Sequence, residues 1–290
     1  MKKLLITGAS GMLGHTLCRI ASEGWEVHGV GRRAFATSCG THFHSCDATE
    51  EESFEGLFSA VKPDAVIHLA AASQPNYCEE HPAQAREINV TVAATVARLC
   101  KTAGIPCVFT STDLVFDGES APYTEESQAS PIMAYGRLKL EAEMAMREAY
   151  AETTICRMPL MYGAPSPLGG GNFMTVIAEK LRAGQGITLF TDEFRSPLGT
   201  VSASHGLLMA LEHPGATLHL GGLERLSRYE FGQRVANFFG LGPDLVSGNK
   251  QADANLPAPR PRDVSLDSSK ANRLGFSPRT VEDELREAFL

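Results

Sequence analysis

Apolar and polar positions follow two rhythms along the first 160 residues of this chain. Short β-branched runs, 3-KLLIT-7, 26-EVHGV-30, 42-HFHSC-46, 64-DAVIHLA-70, 106-PCVFTS-111 and 153-TTICRM-158, predict strands. Stretches with apolar residues three and four apart, roughly 12–23, 50–61, 83–103 and 134–150, predict helices between most of them. Thr49 with Glu52 predicts a capping box ahead of SFEGLFSAV. In the last helix Leu138, Leu140, Ala142, Met144, Ala145 and Met146 supply an apolar face. Strands alternating with helices imply right-handed βαβ units and a parallel sheet, with AVIHLA covered on both faces.

After Pro159 the texture changes. GAPSPLGGGN (163–172) and QADANLPAPRPRD (251–263) are Gly/Pro-rich loops. Between them lie helix candidates 173–183, 202–213 and 228–239 and short strands near 187–191 and 217–221. The expected organisation is a dinucleotide-binding unit over 1–160. Residues 161–290 mainly form a smaller substrate-binding lobe over the sheet's carboxyl edge, with some segments returning to the first unit. No internal repeat is visible.

Composition narrows the class. The chain has 290 residues, 43% apolar and 21% charged, which is an ordinary globular balance. A formal charge of -8 with only short basic clusters, Arg32-Arg33 and Arg260–Arg262, argues against a nucleic-acid partner. Lys2-Lys3 precedes too short an apolar run for a signal peptide, and no run reaches membrane-helix length, so neither a leader nor a membrane partner is expected. Seven cysteines without a CxxC pair point to a reduced, cytoplasmic protein, and the sequon at Asn89 then carries no weight.

The candidate chemistry begins where the first strand runs into 7-TGASGMLG-14. Glycines at 8, 11 and 14 suit a turn whose backbone N–H groups cradle a pyrophosphate at a helix start. Gly8, Ser10, Gly11, Met12, Leu13 and Gly14 are the candidate cofactor contacts; a tight β–α turn without a ligand is the alternative. The second strand ends GVGRR with no acid for ribose hydroxyls, so Arg32 and Arg33 favour the 2′-phosphate of NADPH, with NADH the other choice. A solvated arginine there is also open. Asp47, followed by Ala48, is placed to meet the adenine amino group. Strand 106–111 runs into TSTDLVFDG, which puts Ser111 and Thr112 at the sheet's carboxyl edge. Tyr135 and Lys139 are one helical turn apart on one face, a spacing that suits ordinary packing or a proton donor with its tuning charge. In the second case Tyr135 protonates a carbonyl, Lys139 lowers the phenol's pKa and holds the cofactor ribose, and Thr112 hydrogen-bonds the same oxygen.

The ordered set TGASGMLG, VIHLAAAS, FTSTDLVFDG, YGRLK and CRMPLMYG resembles the extended short-chain dehydrogenase/reductase superfamily. STDLVFDG with PYTEE and RPRDVSLDSSK is most similar to the dTDP-4-dehydrorhamnose reductase family, across essentially the whole chain. The resemblance implies a Rossmann-type doubly wound α/β fold and a catalytic set of Thr112, Tyr135 and Lys139. It also implies a cofactor wall of Leu69, Ala70 and Ala71, with Pro159 packing near the nicotinamide. Thr112, Asp113, Arg195 and Arg262 become substrate-side candidates, the arginines as a diphosphate clamp; an ordinary surface role is the alternative for each arginine. Leu114 and Leu138 depart from the family's usual Tyr and Ser on what is expected to be the crevice wall. His15-Thr16 replaces the Glu through which some members hold Mg2+, so no metal is carried over.

The leading expectation is an NADPH-preferring reductase of a nucleotide-activated 4-keto-deoxysugar. An epimerase or dehydratase is the enzymatic alternative, though Leu114 after Asp113 removes half of a dehydratase's acidic pair. A third class is a non-catalytic nucleotide-binding regulatory subunit resembling the methionine adenosyltransferase β-subunit. A nucleotide sugar is the expected partner, with a homodimer left open. The Cys/His cluster 39-CGTHFHSC-46 lacks the ligand spacing of a structural zinc site and is expected to be packing. Cys78 and Cys156 have no evident His partner in sequence.

Overall fold

The structure, a computed structural model, describes residues 1–32, 40–168, 172–254 and 259–289. Along the first part run β1 (Lys3–Thr7), α1 (Met12–Ala21), β2 (Glu26–Gly31), β3 (His42–Ser45), α2 (Glu51–Val61) and β4 (Ala65–His68). Next come α3 (Pro75–Glu80), α4 (Pro82–Arg86), α5 (Val92–Ala103), β5 (Cys107–Thr112), α6 (Ala134–Ala149) and β6 (Thr154–Met158). Then follow β7 (Met161–Tyr162), α7 (Phe173–Arg182), β8 (Ile187–Phe190), β9 (Phe194–Arg195), β10 (Leu198–Gly199), α8 (Thr200–Ala210) and β11 (Thr217–His219). The chain closes with β12 (Leu226–Ser227), α9 (Arg228–Phe238), β13 (Val246–Asn249), α10 (Ser269–Arg273) and α11 (Val281–Phe289).

Seven strands form one parallel sheet in the order β3-β2-β1-β4-β5-β6-β11. Alternation along each strand divides the apolar residues between two layers. Leu4, Ile6, Ala65, Ile67, Val108 and Cys156 meet α1 and α8 on one face. Leu5, Val30, Val66, Phe109 and Ile155 meet α2, α5 and α6 on the other. The strand order reverses between β1 and β4, and the carboxyl ends of these strands and of β5 are where open α/β sheets bind ligands. A separate core of Tyr162, Met174, Ile177, Leu189, Phe231, Val246 and Leu285 gathers α7, α9, α11, β8 and β13. Two of its helices start at capping boxes, Asn172 with Thr175 and Ser227 with Glu230, which satisfy N–H groups that the helices cannot. From the same half of the chain, α8 packs on the sheet and β11 forms its edge.

Several sequence expectations need correction. The 83–103 helix is two α-helices joined by a π-turn at Glu87–Thr91, where Asn89 turns its amide onto the backbone of Ala72. The box at Thr49 and Glu52 does not form: Glu50 is the N-cap, and Thr49 donates its N–H and hydroxyl to Asp47 Oδ1 at 3.1 and 2.8 Å. Strand 64–70 stops at His68, because the N–H groups of Leu69 and Ala70 go to the Thr7 hydroxyl. Met144 is 59% exposed, and Lys139 and Glu143 occupy buried positions on α6 instead. Short α3 was not expected from the sequence, and α11, whose Val281 and Leu285 lie four apart on its buried face, was missed although its pattern is amphipathic.

Candidate active site

The candidate cofactor side is built mostly from backbone. Gly8 leaves β1 with φ +68°, and a Cβ there would lie 2.8 Å from the Ala70 nitrogen, so the turn and the segment after β4 touch main chain to main chain. Thr7 fixes that contact: its hydroxyl accepts from Leu69 N (3.1 Å) and Ala70 N (3.2 Å) and donates to His68 Nδ1 (2.7 Å). Burial holds the imidazole neutral, with its pKa down at about 3. Asn89 clamps the same segment at Ala72, accepting from its N–H at 3.0 Å and donating to its carbonyl at 3.2 Å. Gly11 is the N-cap of α1, and neither a side-chain cap nor a first-turn acid competes for that helix start. Gly14 is buried in the first turn, and Met12 and Leu13 are half-buried. The loop after β7 lies over the turn: Ser166 donates to the Ser10 carbonyl at 2.6 Å, and Asn172 reaches both Met12 Sδ and the Gly163 carbonyl. Arg32 is exposed just past β2, Asp47 and Ala48 are half-buried past β3, and Pro159 is buried past β6. Arg33 lies outside the described residues.

The reaction side is built from side chains at the end of β5 and the start of α6. Thr112 is buried; its hydroxyl donates to Asp113 Oδ1 at 3.1 Å and accepts from Leu114 N at 3.2 Å, capping a turn of 3-10 helix. Gly136 packs against the Leu114 carbonyl so closely that any Cβ would collide with it, which seats the first turn of α6, carrying Tyr135, on this segment. Tyr135 is half-buried. Burial first, then the charges of Asp113 and Cys78, raise its pKa, opposite in direction to the tuning expected of Lys139. Lys139 is 2% exposed with its Nζ 3.9 Å from the centre of the Phe109 ring. Burial lowers its pKa to about 7, against the opposing pull of Glu143. Leu138 packs with the Phe109 core, and Leu114 beside Val115 and Phe116, so both apolar departures have core neighbours.

The two arginines expected to act together part company. Arg195 is 4% exposed, its Nε 3.4 Å from Asp113 Oδ2 and a terminal nitrogen 3.1 Å from Glu193. Arg228 adds a second bond to Glu193 at 2.9 Å. Arg262 is exposed, and its carbonyl accepts from Phe194 N. Asp113 is raised to about 6, because burial outweighs the Arg195 charge. Glu193 and Arg228 were absent from the sequence expectations, since nothing local marks an ion-pair partner that lies across the fold.

The histidines of the rejected zinc cluster have a different neighbour. His28 of β2 stacks on His42 and His44 and shares a 3.0 Å hydrogen bond with His44. Among the described residues no group of metal-ligating side chains is arranged to hold an ion. Cys78 donates to the Ala72 carbonyl, and Cys156 is buried in the sheet core. No described helix is long and apolar enough to cross a membrane.

A parallel seven-stranded sheet of this order, with a glycine turn after β1 and a Tyr-x-x-x-Lys helix beside the end of β5, defines a Rossmann-type fold of the kind found in extended short-chain dehydrogenase/reductases. Within it, the chain belongs to the family described as RmlD substrate binding domain, whose model matches residues 1–289. Its relatives include the probable low-salt glycan biosynthesis reductase Agl14 of Haloferax volcanii, 33% identical over 288 residues, 97% of this chain and 95% of that protein. The methionine adenosyltransferase 2 subunit beta of Rattus norvegicus is 28% identical over 290 residues, 96% of this chain and 84% of that protein. The fold matches a dTDP-4-dehydrorhamnose reductase from Bacillus anthracis solved with NADP, with TM-score 0.88 and 23% identity over 100% of this chain and 99% of that one.

Proposed function

We propose that the chain reduces the 4-keto group of a nucleotide-activated deoxysugar, taking hydride from NADPH, with NADH the alternative, and the proton from Tyr135. The observation that carries the proposal is the seating of α6: Gly136 flush on the Leu114 carbonyl brings Tyr135 and Lys139 to the segment that begins at Thr112. The open glycine turn and uncapped start of α1 suit a dinucleotide pyrophosphate. The backbone from Gly8 to Gly14 would hold it, Arg32 and Arg33 would take a 2′-phosphate, and Asp47 with Ala48 would meet adenine. Leu69, Ala70, Ala71 and Pro159 would line the floor. Once bound, the reduced nicotinamide supplies the hydride.

The chain's own residues handle the proton. A raised phenol pKa keeps Tyr135 protonated near neutrality, so it is ready as an acid. As the proton leaves, the ammonium of Lys139 stabilises the phenolate, and Lys139 would also hold the ribose. Thr112 turns its hydroxyl to the same substrate oxygen. Asp113 Oδ2, which faces Arg195 but makes no hydrogen bond, would accept from a sugar hydroxyl. Exposed Arg262 is better placed to take a diphosphate than Arg195, which Asp113 and Glu193 already hold.

The test is oxidation of NADPH in the presence of dTDP-4-dehydro-6-deoxy-L-mannose, followed by the loss of nicotinamide absorbance. Tyr135→Phe should lower turnover by about 10²–10⁴-fold and leave NADPH binding intact. The likeness to the rat regulatory subunit favours one competing role: a nucleotide-binding partner of another enzyme. Tight NADPH binding with no turnover on this or related keto sugars would sink the reductase and favour that role.

A further inference from the structure

Glu143 is a buried carboxylate to which the proposed chemistry assigns no part. It lies one turn beyond Lys139 on α6 and is 6% exposed. Arg157 of β6 grips it with two bonds, Nε to Oε1 at 3.0 Å and a terminal nitrogen to Oε2 at 2.8 Å. The Ser111 hydroxyl donates to Oε1 as well. Ser111 and Arg157 stand opposite each other in the β5–β6 ladder, so the sheet presents both donors to the helix at one place. A carboxylate with this many donors keeps one rotamer.

Lys139 is in the opposite condition. Its ammonium is buried against the Phe109 ring, and burial favours its neutral form. The groups around it are unequal. His68 on β4 stays neutral, and Arg157 and Arg147 are turned to Glu143 or to backbone oxygens. Asp113 and Cys78 bear on Tyr135. Glu143 is the anion that acts on Lys139.

We infer that Glu143, clamped by Ser111 and Arg157, is a positioning residue that keeps Lys139 protonated in its apolar seat so that the lysine can serve Tyr135. This rests on the proposed acid role of Tyr135 and Lys139. A purely structural ion pair would hold α6 on the sheet and leave the lysine's titration alone.

The deciding measurement is the titration of Lys139 by NMR in protein carrying 13C at the lysine ε-carbons, with the signal assigned through Lys139→Met. It needs no turnover, so it stands apart from the test of the reductase itself. In Glu143→Gln the midpoint should move down by about one pH unit. The alkaline limb of kcat/KM should move down with it, while activity on the acid side stays near that of the unaltered protein. Because Glu143→Gln leaves Arg157 buried without its partner, Glu143→Gln with Arg157→Met is made in parallel and should show a smaller shift in the same direction, since a more distant positive charge leaves with the negative one. An unchanged midpoint in whichever variant folds would overturn the inference, whatever happens to activity. A shifted midpoint in a protein that turns over no keto sugar would keep the electrostatic link and remove the reductase instead.

Discussion

The two sides of the proposed site, for cofactor and for substrate, are made of different material. On the cofactor side, Gly8, Ala70 and the uncapped start of α1 present main chain, steadied by Thr7 and Asn89. On the substrate side, Asp113, Arg195, Glu193 and Arg228 form a buried chain of charge contributed by β5's end, β9 and α9. A backbone cradle tolerates many side chains as long as its glycine stays, because amide groups are the same everywhere. A buried ionic chain depends on every member, because removing one leaves another charged and unpaired in a medium that solvates it poorly.

The largest expected effect is on the substrate side. Arg195→Met strands Asp113, leaves Glu193 with Arg228 alone, and should destabilise the protein by about 3–5 kcal/mol, read by urea unfolding. NADPH binding to the fraction that stays folded should persist; if stability is unchanged, the cluster is not the brace described.

Acid should strain the fold through buried histidines. His68 sits under the cofactor floor, and His219 on β11 bonds the Tyr123 carbonyl; both are held neutral, down to about 3 and about 4. The unfolded chain takes up these protons near pH 6.5, so the stability they contribute is whole above that value and is lost as pH falls through it. Each group steepens the loss by at most about 1.4 kcal/mol per pH unit. Asp113, raised to about 6, works the other way and regains stability as it protonates. Burial lowers His15, His28 and His44 as well, so the losses outweigh the single gain and should lower the melting temperature between pH 6.5 and pH 5; a flat profile there would contradict the burial of these imidazoles.

The smallest effect belongs to the cofactor side. Arg32 is exposed, so the pairing proposed for it with a 2′-phosphate would be screened by water and salt. Arg32→Ala should weaken NADPH binding by about tenfold and NADH binding hardly at all. Equal weakening of both would remove the phosphate role.

Legibility followed the same divide. The glycine turn, the strand rhythm and the Tyr-x-x-x-Lys spacing are contiguous in sequence, and each sits on the element it predicts. The pairing of Arg195 with Asp113 joins positions 82 residues apart by their numbers, which no local pattern encodes. Asn89 was visible only as a sequon, because its work on Ala72 depends on a π-turn that shifts the helix face. Met144 was taken for core by periodicity, whereas Glu143 beside it is buried because Arg157 and Ser111 are waiting for it across the sheet.

By itself, then, the sequence determined what short-range chemistry can dictate: a doubly wound α/β sheet, a glycine turn between β1 and α1, and a tyrosine with a lysine one turn on. Tertiary structure alone decided which charges are buried and with whom. It turned Arg195 to Asp113 and Glu193, left Arg262 in solvent, and set Glu143 beneath Lys139. The reason is dielectric. A charge in water has much the same energy whatever its neighbours, while a buried one takes its energy from the few groups the fold brings within reach.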